Sequence, residues 1–470
     1  LIRPVKLKRR IGPPTRTVLA PAGTMPKFTP EEVSRHRQPN DCWVSVDGKV
    51  YDVTSWVPRH PGGDLIFVQA GKDCTHLFNS YHPYSARKTL EKFYVGDLVD
   101  TAETDLYEDD GTGEKFYAVV KDRVAKYFRD NKINPRVSIE MYVKTAVIFA
   151  TLVICYYGAF FLKSSLGVSL LFAVGLGVAF AEVGVSIQHD ANHGAYSTSP
   201  AVNHFMGLAL DLVGASSFMW KQQHVVGHHA YTNLDGMDPD IRVTDKDVRR
   251  VTQHQPWHSY QRYQHLYLAL LYGLLSLKSV LVDDFAALSE GRIGPVAISK
   301  LTARESAEFW LGKSVFFAGY VAAPLAFSPH SAARLLLVWI ISQFVIGWLL
   351  AFMFQVAHVT PDVAFLRGGS GAAKRGWGES QVATTADFCH GSWLWTHFSG
   401  GLNYQVVHHL FPGVCHMHYP KIAPIVLETC REFGVPYVVY PTFGKALMAH
   451  FRHLAEVGAG HSIPSLATVG

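Results

Sequence analysis

Charge is scarce in this sequence. Asp, Glu, Lys and Arg make up 17% of its 470 residues, against about 25% in an ordinary soluble protein. That shortage argues against a freely soluble chain and for one that meets a membrane. Cysteine is also sparse: Cys42, Cys74, Cys155, Cys389, Cys415 and Cys430 form no CxxC pair and no dense framework. A disulfide scaffold is thereby excluded, and reduced thiols facing the cytosol are the expectation. No block of like charge occurs, and the net charge of +5 is spread out. The densest basic stretch (Lys6, Lys8, Arg9, Arg10) reads as a solvated tail, and no nucleic-acid partner is expected. No apolar core follows this basic start before Pro26, so no signal peptide is read.

What the chain does have is gathered apolar sequence and histidine. Aromatics reach 13%, and there are 24 histidines. Residues 1–26 are Pro- and Arg-rich and read as a disordered basic tail. Residues 27–100 read as a small polar domain with short strands at Cys42–Val46 and Val50–Val53, joined by an Asp47-Gly48 turn. Residues 101–140 read as an acidic linker and an amphipathic lead-in helix at Glu114–Arg136. Residues 141–470 hold the apolar runs. Thr145–Leu162, Leu166–Ile187, Lys313–Ser328 and Ala333–His358 approach the ~20 residues a spanning helix needs. A fifth run, Tyr263–Val282, carries His265 and Lys278 and reads as an amphipathic helix lying at the interface. Lys and Arg are frequent between Gln188 and Arg262, which places that stretch on the cytosolic side.

His60-Pro61-Gly62-Gly63 is the sharpest local signal in the N-terminal region. Its glycines let the backbone approach a flat cofactor. A second histidine, His82, follows the apolar Leu77, Phe78 and Tyr81, with His76 as a competitor for the same role. Two axial imidazoles leave iron no open position, which favours electron transfer over oxygen chemistry.

Three histidine clusters stand further on: His189-Asp190-Ala191-Asn192-His193, His224-Val225-Val226-Gly227-His228-His229, and Gln405-Val406-Val407-His408-His409. Histidines four apart share one helix face, so His189 with His193, and His224 with His228, can each converge on a metal. Imidazole suits iron. The boxes contain seven histidines, more than the roughly six ligands a single ion takes, so a binuclear site is indicated.

His60-Pro61-Gly62-Gly63, within Asp41-Cys42-Trp43, Val50-Tyr51-Asp52-Val53 and Tyr94-Val95-Gly96-Asp97, resembles the cytochrome b5 family. The resemblance implies heme b with His60 and His82 as axial ligands. The three boxes in order, with Gln405 heading the last, resemble the membrane fatty-acyl desaturases of the front-end group. That resemblance implies two non-heme iron ions held by His189, His193, His224, His228, His229, His408 and His409. It places Gln405 at or beside the metal, and His358 at the end of the last span in a ligand position of related acyl desaturases. Met237-Asp238-Pro239-Asp240, Phe398-Ser399-Gly400-Gly401 and Leu410-Phe411-Pro412-Gly413 look like the delta-5 desaturases of green algae and lower plants. The implied reaction is a cis double bond at carbon 5 of a twenty-carbon polyunsaturated chain, with delta-6 and sphingoid delta-8 desaturation or di-iron hydroxylation as alternatives. A membrane-anchored electron carrier is the reading from a different class; it expects heme without non-heme iron.

The expected architecture is a small α+β heme domain followed by an all-α, four-span membrane domain with a cytosolic histidine-rich cap. Four spans follow from parity, since the first and third boxes must meet on one side. Breaking an unactivated C–H bond is beyond any acid or base side chain, so activated oxygen on iron must carry the chemistry. The expected partners are NADH-cytochrome b5 reductase, a polyunsaturated acyl-lipid or acyl-CoA, and membrane lipid, with residence in the endoplasmic reticulum. Gly207–Trp220 is a candidate wall of the acyl channel. Val407 stands where front-end enzymes usually have Glu, and a carboxylate there is expected to be tolerated. Asp190, Glu182 and Asp387 are the candidates for a carboxylate that orients imidazoles.

Overall fold

The computed structural model describes residues 25–38, 40–60, 66–67, 69–82, 85–99, 112–241, 247–298, 301–367 and 376–460. Most of the N-terminal tail, the linker to residue 111 and Pro61-Gly62-Gly63 lie outside the described residues.

In the hairpin of the N-terminal unit, Asp47 and Gly48 take φ of 50° and 70°. This is the primed geometry that matches strand twist across a two-residue turn, and Val46 accordingly pairs with Lys49. The hairpin strands, Asp41–Val46 and Lys49–Asp52, lie in a five-stranded sheet. Its order is Lys27–Phe28, Tyr94–Leu98, Lys49–Asp52, Asp41–Val46, Arg37–Gln38, with only the first pair parallel. Alternation along Asp41–Val46 turns Cys42, Val44 and Val46 into a core with Tyr51, Val53, Ala70 and Leu90. The unit is α+β, as expected.

The remainder is mainly helical. Among the described residues, five helices are long and apolar enough to cross a bilayer: Ile139–Phe160, Leu166–Asn192, Ser259–Glu290, Ala303–Phe327 and Ala332–His358. They leave large apolar side chains such as Val153, Leu171, Leu336 and Phe327 exposed, which is how a helix meets hydrocarbon. Ser259–Glu290 is the helix beyond the expected four, and it is broken into α, 3-10 and π turns. At Gly347 in Ala332–His358, an added Cβ would strike the Gly273 carbonyl, so these two helices pack backbone to backbone.

The lead-in helix, Thr112–Asp130, is not a surface connector. Its Phe116, Tyr117, Val120, Val124 and Phe128 are buried in one cluster with Val406, Val407, Leu410 and Phe411. It thus forms the outer wall of the third histidine box.

Candidate active site

The first box ends the helix Leu166–Asn192, and a π turn at Val183–Gln188 precedes it. The second box rides on another π turn, Lys221–His228. Such widened turns, bonded i to i+5, recur at functional sites. The third box lies on Gln405–Leu410. Gly400, at φ +60°, brings the loop before it against the Val185 carbonyl, where any Cβ would collide. That contact presses the third box onto the first.

The boxes converge into two adjoining groups of buried imidazoles. One is His189, His193, His224 and His408; the other is His228, His358 and His409. His229 lies between them, its Nε2 3.0 Å from His408 Nε2 and 3.3 Å from His224 Nε2. Its ring also stacks on His409 at 4.5 Å between centroids. The Gln405 amide donates to His358 Nε2 at 2.9 Å and to His409 Nε2 at 3.2 Å. His224 and His228 converge with Asp240 through their Nδ1 atoms in a group that could itself hold an ion, while in the two larger groups they fall on different sides.

A consistent polarity runs through the cluster. Nδ1 faces outward to Tyr81 in His193, Asp240 in His224, Asp238 in His228, the Thr384 carbonyl in His358, Tyr419 in His408 and Gln381 in His409. Among the described residues, both ring nitrogens of His189, Nε2 of His193 and His228, and Nδ1 of His229 are buried without a hydrogen-bond partner. Buried polar atoms are rarely left so, and ring nitrogens gathered within 4.8 Å of one another in each group suit a metal. Two nitrogens on one ion at about 2.0–2.1 Å stand about 3 Å apart, which matches the Nε2 spacings around His229. The residues present therefore fit metal ions.

None of the three carboxylates expected to orient imidazoles touches a box histidine. Asp190 holds His416, Glu182 holds Lys144 and Ser186, and Asp387 holds His390, Tyr437 and the Val406 N–H. Asp238 and Asp240 take that role instead. Their signal was present in Met237-Asp238-Pro239-Asp240, whose two carboxylates follow the second box closely. The burial of Val407, at 0% exposure in one cluster with Phe116, Tyr117 and Trp377, argues against the expectation that Glu would be tolerated there. Within Gly207–Trp220, Trp220 reaches the cluster, its ring 4.5 Å from that of His224 and 5.5 Å from that of His193.

In the N-terminal unit, His60 Nε2 and His82 Nε2 face each other at 3.4 Å. They border a cavity of about 360 Å³ walled by Val44, Val53, Trp56, Ile66, Leu77, Phe78, Leu90 and Phe93. His82 Nδ1 donates to the Phe78 carbonyl at 3.1 Å, leaving Nε2 as the free ligand atom. Burial, then His60, brings its pKa down to about 4, so the ring is neutral at pH 7. Apolar walls and two opposed imidazoles fit heme. His76 is turned away and stacks on Trp377 at 6.2 Å.

Residues 29–99 match the family described as cytochrome b5-like heme/steroid binding domain, and residues 165–441 match fatty acid desaturase. An acyl-lipid (8-3)-desaturase of Physcomitrium patens is 54% identical over 93% of this chain and 92% of its own. A delta(5) fatty acid desaturase A of Dictyostelium discoideum is 36% identical over 92% of this chain and 94% of its own. Among solved structures, cytochrome b558 of Ectothiorhodospira vacuolata is 37% identical over 16% of this chain and all of its own, with a TM-score of 0.16. With both family matches in place and relatives aligned along nearly the whole length, this chain belongs to the fatty acid desaturase family, as an integral membrane front-end acyl desaturase with a fused cytochrome b5 domain.

Proposed function

We propose that this enzyme inserts a cis double bond at carbon 5 of a twenty-carbon polyunsaturated acyl chain, using O2 and electrons delivered through its own heme. The observation that carries the reading is the pair of imidazole groups drawn from three boxes and the end of a spanning helix, every member buried. In this reading His60 and His82 hold heme b. His189, His193, His224 and His408 hold one iron, His228, His358 and His409 a second, with His229 between them and Gln405 beside the second. Bound there, the two irons supply the oxygen activation that can take hydrogen from an unactivated methylene. The chain's own part is to fix each ring: Asp238, Asp240, Tyr419 and Gln381 occupy Nδ1, so Nε2 points inward in one tautomer. Trp220 covers the first group and excludes water from it. Carbon 5 rests on the name of the Dictyostelium discoideum relative, a delta(5) fatty acid desaturase.

NADH-cytochrome b5 reductase is the electron source in this reading. The domain boundaries are 27–100 for the heme unit, 101–140 for the lead-in and 141–470 for the desaturase. The enzyme lies in the endoplasmic reticulum with the heme unit and boxes toward the cytosol. Four helices cross and Ser259–Glu290 does not. Both ends of that helix are tied to the side bearing the boxes: Gln264 donates to the Leu454 carbonyl at 2.7 Å in the C-terminal helix, and Asp284 accepts from the Ser216 N–H at 2.9 Å just before the second box. With three crossings between the first and third boxes they could not meet.

Expression in yeast fed defined polyunsaturated acids, with mass spectrometry of double-bond position, tests the reading. A new bond at carbon 5 of twenty-carbon acids is expected; a bond at carbon 6 or 8, or an alcohol, would replace it.

A further inference from the structure

The heme unit is seated on the lead-in helix and the desaturase domain by named contacts. Lys72 Nζ donates to the Ala297 carbonyl at 2.6 Å, and Lys121 and Tyr117 both reach the Asn79 carbonyl. At the centre of this seat Tyr81, the last residue of the helix Thr75–Tyr81, precedes His82 in sequence. Tyr81 Oη and His193 Nδ1 are 2.5 Å apart, and their rings lie 6.2 Å apart at 19°. Among the described residues, Tyr81 is the heme-domain side chain that hydrogen-bonds a box histidine. The cavity lined by His60 and His82 is lined also by Tyr81, His193 and Gly194. Gly413, behind the third box, would place a Cβ 3.4 Å from Tyr81 Cδ1, so the phenol ring is walled in on the desaturase side as well.

We propose that Tyr81 provides the electronic contact between the two sites, with the hydrogen bond to His193 as the crossing point for single electrons. The inference rests on the ligand assignments proposed above. Coupling falls steeply across empty gaps and less steeply along covalent and hydrogen bonds. From His82 the backbone leads to Tyr81 in one peptide step, and one hydrogen bond then reaches an imidazole whose other nitrogen, Nε2, faces the first metal group. Each crossing oxidises ferrous heme to ferric and reduces one ferric iron to ferrous; Tyr81 ends with the proton and electrons it began with. Two crossings, with two protons and one O2, convert CH2–CH2 to CH=CH and two waters.

The test uses the full-length diferric protein under anaerobic conditions, with heme reduced by a flash-generated deazaflavin radical and its Soret band followed in time. Tyr81→Phe keeps the ring and loses the hydrogen bond; Tyr81→Leu loses both. The expected result is an unchanged heme spectrum and iron-to-heme ratio in Tyr81→Phe. Its heme reoxidation, compared at equal iron-to-heme ratio, should slow about tenfold, equivalent to about 1.4 kcal/mol on the barrier, and Tyr81→Leu should be slower still. Reoxidation at the wild-type rate in Tyr81→Phe overturns the proposal while leaving the ligand assignments standing. Loss of iron from Tyr81→Phe also overturns it, making Tyr81 a support of His193 alone. Wild-type protein with heme but no iron would overturn this proposal and the metal assignment together.

Discussion

His60 and His82 look at each other across a cavity walled by Val44, Trp56, Leu77 and Phe78. In the desaturase domain, by contrast, His224, His228, His408 and His409 each lean outward on a carboxylate, a phenol or an amide. The difference follows from what each site must hold. A heme brings four equatorial nitrogens and a large apolar surface, so the protein owes it two axial rings and greasy walls. A bare ion brings nothing, so every ligand must come from the chain with its tautomer and direction already set. The heme end therefore relies on apolar walls and one hydrogen bond to the backbone, from His82 to Phe78, and the metal end on side-chain hydrogen bonds around buried rings.

The comparison breaks most visibly by removing one ligand from each end. His408→Ala and His189→Ala should each eliminate product and lower iron while the heme spectrum persists; His60→Ala should abolish that spectrum while iron stays. Iron-to-heme ratios on purified protein decide this, and loss of both groups from any one variant would mean the ends are not independent. Next in size is Val407→Glu, which puts a carboxylate into the apolar wall that Phe116, Tyr117 and Trp377 share with the third box. An unpaired buried charge costs about 3–5 kcal/mol, so thermal stability and membrane yield should fall together. A stable, active Val407→Glu protein would show that the wall can open to water.

Asp238→Asn sharpens the comparison at the metal end. It keeps the shape but removes the charge that fixes His228 Nδ1–H, and iron affinity should weaken about 10–100-fold. Chelator competition measures this, with the heme spectrum as an internal control. The smallest effect is expected from His76→Ala. Its stack on Trp377 is worth about 0.5–1.5 kcal/mol, so heme and iron should both remain and the melting temperature should drop slightly. Loss of the bis-imidazole spectrum in this variant would return the axial role to His76.

Much of this was legible in the amino-acid sequence because it depends on neighbours along the chain. Apolar runs, the Asp47-Gly48 turn, the HPGG segment and the three boxes are local patterns, and a helix or hairpin follows from spacing within a few residues. Residues far apart in sequence are another matter. That His224 and His228 fall into different larger groups depends on a π turn, which no side-chain spacing announces. Asp238 rather than Asp190 orients a box imidazole because a bend after the second box returns the chain upon it. Val407 is enclosed because Thr112–Asp130, nearly three hundred residues earlier, lies across it. The contact of Tyr81 with His193 requires one domain to dock on another. Sequence by itself determined which side chains are available as ligands and on which local element each sits. Only the tertiary structure decided which of them meet and which partner holds each ring, because those choices are made by packing between segments that are strangers along the chain.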